Sequence, residues 1–217
     1  LGREALFIFR NKPALVTDTL GSASQAIDFA TDAFNRSLSG NPNYALGNWG
    51  LGTVLLWQAE PVISEGVITA TAFAQALTQL DDAVNRYGIA LSNTPADVNP
   101  LLAAKMRTSL ANALRLRGLA KLYQDDNDSA DRLFGDALSE LDRATALITG
   151  NQPRERAIAH WVRGTVLINR GALLYVRGDD PGSRAHYERA KNEFEACLAQ
   201  YDDPGQKTDI DVTLKTY

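Results

Sequence analysis

One cysteine, one methionine and two histidines in 217 residues leave little from which to build a thiol or metal site. A single Cys197 excludes an intramolecular disulfide framework and a cysteine-based zinc site, and leaves the compartment undecided; its place in the repeat described below makes it a small packing residue. His160 and His186 fall on different helical stretches, and neither has the i, i+4 partner that a helical zinc site needs. The acidic run from Gln124 to Asp131 lacks the glycine and the spaced glutamate of a calcium loop. No phosphate-loop lysine motif occurs, and Gly47, Gly50 and Gly52 invert the order of a dinucleotide fingerprint inside a helical pattern. Asp81-Asp82 and Asp179-Asp180 are adjacent in sequence, which on a helix separates them by about 100° and gives no acid and base pair. No catalytic residue, cofactor or metal is therefore expected.

Excess charge and long apolar runs are missing too. A net charge of −4 gives no global attraction to nucleic acid or to an anionic membrane. The opening apolar run, Ala5 to Phe9, is too short for a signal core or a span. Residues 43–59 carry no formal charge, but Asn43, Asn48, Gln58 and three glycines argue against a membrane span and for a helix buried on several sides. The first residue is Leu1 rather than Met, as expected of a fragment or a processed product.

What is abundant is alanine, leucine and arginine, with apolar residues at steps of three and four, which predicts an all-α chain of about seven helices. Breakers and caps place them near 14–38, 43–59 (ended by Pro61), 67–91, 98–124, a fifth capped by Asp128 or Ser129 and ending before Gly150, a sixth from Pro153 to Gly178, and a seventh from Pro181 to Tyr201. Short connections predict antiparallel hairpins. The organisation expected is an N-terminal segment 1–12, one helical repeat domain 13–201, and a tail 202–217.

The chain also repeats itself. An offset of 53 carries Pro100 onto Pro153, Ala104 onto Ala157, Arg117 onto Arg170, Gly118 onto Gly171, Asp126 onto Asp179, Phe134 onto Tyr187 and Ala137 onto Ala190. In each repeat a glycine on the first helix is followed on the second by a small residue, an aromatic and an alanine: Gly118, Ala130, Phe134 and Ala137, then Gly171, Ser183, Tyr187 and Ala190. Such a set lets two helices approach closely while the ring fills the wedge between them. This pattern resembles the tetratricopeptide repeat family. Upstream, Ala30, Phe34 and Pro42 are similar to a second helix, and Leu51, Gly52 and Leu55 to the first helix of the next repeat. Its partner matches at Ala76, Leu80 and Ala83 when residues 60–72 are taken as an insertion. The period of 53 exceeds the family's usual 34, and two first helices of about 25 residues would each span roughly 37 Å.

Charge follows the same offset: residues 100–124 sum to +5 and 125–149 to −5, then 153–177 to +4 and 178–202 to −3. By the resemblance, first helices line a groove. Its positions would be Trp49 and Thr53, Asn112, Arg115 and Leu119, then Thr165, Ile168 and Asn169, and its ligand a protein or peptide segment, acidic in character. Two other readings stay open at this point. Basic and acidic helices of a hairpin can simply neutralise each other, with Arg117 and Arg170 as structural members, and Trp49 and Trp57 can be core residues. On function, the resemblance implies an interaction scaffold, with a regulatory or sensor domain of a larger protein as the alternative and a helical-bundle enzyme or small-ligand binder as a third class. The basic set of carboxylate-clamping family members is not reproduced.

Overall fold

A computed structural model describes residues 23–64 and 69–200. Among them the protein is all-α, with seven helices and no strand: α1 (Ala23–Gly40), α2 (Ala45–Ser64), α3 (Ala70–Ser92), α4 (Pro100–Tyr123), α5 (Asn127–Leu147), α6 (Pro153–Val176) and α7 (Asp180–Leu198). The segments 1–12 and 202–217 and the start assigned to the first helix lie outside the described residues. The helices group into two compact units, Leu1–Pro95 and Ala96–Tyr217.

In the first unit α2 pairs with α3 along their lengths and α1 packs more slightly on α2. In the second, α4 pairs with α5 and α6 with α7, while α5 and α4 each meet α6 over a smaller area. Strong pairing within a hairpin and lighter packing between hairpins is what stacked repeats of two helices produce.

Five glycines set the hairpin geometry. A Cβ on Gly118 would stand 2.5 Å from Phe134 Cε1, and one on Gly171 2.9 Å from Tyr187 Cε1, so each ring lies on a helix backbone as the repeat predicts. Three further contacts of this kind were not read from the repeat. Gly164 receives Phe194, Gly50 receives Phe34, and Gly52 receives Tyr87. Gly52 therefore meets Tyr87 and not Leu80. Of the residues taken as an insertion, Glu60 to Ser64 prolong α2 and Ala70 to Ala72 begin α3, which moves the facing pair further from the connection. Leu80, Ala76 and Ala83 remain buried in the same seam.

Several boundaries also differ. Helix α2 does not stop before Pro61 but passes through it, losing only the bond that a residue-61 N–H would give Trp57, while Ile63 is fully buried and secures the last turn. The cap of α5 is Asp126, not Asp128 or Ser129; its carboxylate accepts the Ser129 N–H, as that of Asp179 accepts the Gly182 N–H at α7. Each cap follows a residue of positive φ, Asp125 (59°) and Gly178 (78°), because the chain leaves α4 and α6 through the same left-handed turn. In both turns the next N–H reaches back to the helix, Asp126 to the Lys121 carbonyl and Asp179 to the Leu174 carbonyl. α7 turns Ser183, Ala190, Phe194 and Cys197 inward, and its other side exposes Arg184, Glu188, Arg189, Lys191, Asn192 and Glu195.

Replacing Gly118 with Ala forces Phe134 off its seat, and we expect a cost of about 1–3 kcal/mol, partly offset by the roughly 1 kcal/mol gain in helix propensity. Gly135→Ala, where an added Cβ meets nothing within 4 Å, gains that propensity alone. Thermal melts of the two variants check this; a Gly118→Ala melting point at or above wild type contradicts the wedge.

Candidate functional site

α4 and α6 lie side by side and run the same way, since contacts between them rise together in number: Lys105 Nζ with Glu155 Oε1 at 2.9 Å, and Arg115 Nη1 with Asn169 Oδ1 at 3.4 Å. Arg115 is only 8% exposed, and its Nε donates to Asn112 Oδ1 at 2.8 Å. Three of the eight anticipated groove residues, Asn112, Arg115 and Asn169, thus form one hydrogen-bonded group across two first helices. Leu119 lies one turn beyond Arg115 and is buried, as is Ile168, which packs in the cluster of Leu167, Phe194 and Cys197 with Trp161 against it. Thr165 is half-buried, its hydroxyl donating to the Val162 carbonyl at 2.8 Å.

Trp49 and Thr53 belong to the first unit and are half-buried. The Thr53 hydroxyl donates to the Trp49 carbonyl at 2.9 Å and accepts from Tyr87 Oη at 3.3 Å, so it ties α2 to α3. Sequence reasoning passed over a polar group beside them. Asn48 is fully buried; its Nδ2 donates to the Pro42 and Tyr44 carbonyls and its Oδ1 accepts from Arg86 Nη1 at 3.0 Å. An asparagine inside a chargeless helix was the available signal, since a buried amide demands partners.

The segregated charges find each other, but mostly between hairpins. Arg163 and Arg170 on α6 and Arg177, the residue that caps its C-terminus, seven residues apart, bond Asp142 at 2.6 Å, Asp131 at 2.8 Å and Asp128 at 2.7 Å on α5. Leu138 of α5 packs against the apolar cluster beneath them. Within hairpins, Arg107 reaches Glu140 at 2.6 Å and His160 Nδ1 reaches Glu193 at 2.7 Å. Seven-residue spacing returns a side chain to nearly the same face every two turns, which is why one helix can seat three arginines along one neighbour.

The remaining reactive side chains are structural in their surroundings. Burial pushes the Cys197 thiol up to about 11, against a lowering bond to Trp161's backbone. His186 Nδ1 lies 2.9 Å from the Gly182 carbonyl, which places its proton there, and Nε2 is buried. Ser129, through hydroxyl and N–H, holds the Asp126 carboxyl below its usual range. Among the described residues no three His, Cys, Asp or Glu side chains are grouped to hold a metal ion, and no helix is long and apolar enough to cross a membrane. No family model, curated protein or solved structure matches the chain.

The hydrogen bond from Lys105 holds the Glu155 carboxyl below its ordinary value of 4.5, against the opposing effect of burial. A depressed folded pKa contributes stability above the unfolded carboxylate range and loses it as pH falls through the folded value. We therefore expect Lys105→Met to lower the melting point at pH 7, by an amount worth under about 1 kcal/mol for so exposed a lysine, and the gap to wild type to close on acidification below 4.5. A gap unchanged from pH 7 to pH 3 would contradict the pairing.

Proposed function

We propose that the chain is a protein-interaction module, similar in organisation to tetratricopeptide repeats, whose α4–α6 face holds an extended segment of a partner protein. The observation that carries this reading is the orientation of two amides. Arg115 offers only donors, so Asn112 and Asn169 present it their oxygens. Each Nδ2 is thereby turned away from the guanidinium, on side chains that are half-buried rather than sealed. Two fixed amide donors beside a buried positive charge suit backbone carbonyls or a carboxylate of an extended chain, and the fixing is already complete before a ligand arrives.

Apolar contact would come from Leu119 and Ile168 at the floor, each with 9% of its surface exposed, and Thr165 lies a turn from Asn169. Trp49 and Thr53 supply the corresponding first-helix surface of the other unit. Arg163, Arg170 and Arg177 are engaged with aspartates of α5, so they add little to the acidic character expected of the ligand.

Affinity capture from lysate with the whole chain, repeated with Asn112→Ala/Asn169→Ala, tests the assignment. Loss of two hydrogen bonds of about 0.5–1.5 kcal/mol each lowers affinity roughly tenfold. Partners retained at undiminished affinity by a variant of unchanged helicity would remove the α4–α6 face from the reading.

A further inference from the structure

The C-terminal ends of α4 and α6 expose large apolar side chains that hairpin packing leaves unused: Tyr123 (50%), Tyr175 (67%) and Val176 (62%). Because α4 and α6 run parallel and in contact, all three stand at one end of the second unit, and the offset of 53 puts Val176 at the level of Tyr123. Beyond them the two turns bring four acids, against the bases Lys121 and Arg177. Asp125 and Asp126 follow Tyr123, and Asp179 and Asp180 follow Val176. Asp126 and Asp179 are held as helix caps, with Lys121 3.5 Å from Asp126, while the exposed Asp125 and Asp180 project from the turn and from the first helical position. Arg177 is committed to Asp128 and Asp131 and does not offset this charge.

We propose that this end of the second unit is a docking surface for a basic segment of a partner protein in which an aliphatic side chain is flanked by lysine or arginine. The aliphatic group covers Tyr175 and Val176. The cations meet Asp125 and Asp180 and lie over the tyrosine rings, whose faces attract them. Charge sign decides among occupants: anionic lipid is repelled, and so is the same end of a second copy, which carries the same four aspartates. The surface is distinct from the Asn112–Arg115–Asn169 group, so either can fail alone.

The test uses the whole chain and three labelled peptides read by fluorescence anisotropy: Lys-Arg-Leu-Lys-Arg, Glu-Glu-Leu-Glu-Glu and Lys-Arg-Ser-Lys-Arg. The first should bind, more weakly as salt rises, and at least about tenfold tighter than either of the others. Tyr175→Ser/Val176→Ser and Asp125→Asn/Asp180→Asn, all exposed positions, should each reduce its binding about tenfold with helicity unchanged. No binding of the first peptide, equal binding of the acidic one, or retention by both variants overturns the proposal. Overturning it as well would be adsorption to vesicles with a third of their lipid anionic, or self-association abolished by Tyr175→Ser/Val176→Ser.

Discussion

An aromatic ring resting on bare helix backbone is the constraint from which the rest of this structure follows. At Gly118, Gly164 and Gly171 any side chain would collide with the facing ring, so the helices of each pair come nearer than ordinary side chains permit. Close approach makes the seams narrow and lined by small residues: Ala130, Ala137 and Ala144 on α5, with Ser183 and Ala190 on α7. Such seams exclude charge. Lysines, arginines and acids lie on the flanks of the seams, some pairing within a hairpin as Arg107 does with Glu140, and the ionic contacts between α5 and α6 lie where one hairpin meets the next.

The repeat was legible because both long hairpins place their caps and rings alike. Gly118 and Phe134 each lie eight residues from Asp126, as Gly171 and Tyr187 lie eight from Asp179. In an antiparallel pair, facing residues are equidistant from the turn, and that rule contained more than the offset alone revealed. It joins Gly164 to Phe194, fifteen residues either side of Asp179, and Gly50 to Phe34, eight either side of Pro42. Tyr87 escaped notice since the alignment with Phe134 required a gap, whereas distance from Thr69, the cap of α3, matches it to Gly52 within one residue. Pro61 misled for a different reason: propensity marks it as a breaker, yet the burial of Ile63 outweighs one missing hydrogen bond.

Charge was readable in sign and misleading in partner. Summing each helix finds bases on α4 and α6 and acids on α5 and α7, but a sum has no direction around the helix. Only geometry shows that Asp128, Asp131 and Asp142 face α6 more than their own hairpin partner. Of the anticipated groove, the Asn112, Arg115 and Asn169 group was foreseeable as a register, though not as a bonded unit. The buried Asn48, bonded to half-buried Arg86, carried no periodic signature at all.

The offset that equates α5 with α7 also exposes where they part. Where α5 offers Asp131 and Leu138 to α6, the matching positions of α7 are Arg184 and Lys191, both exposed. A neighbouring molecule presenting its own α6 there would set arginine against arginine and lysine against an apolar cluster. Stacked repeats grow by offering each new helix the contacts of the last, and the reversed charge at Arg184 with the cation at Lys191 means that α7 does not offer an α6-like helix what α5 offers.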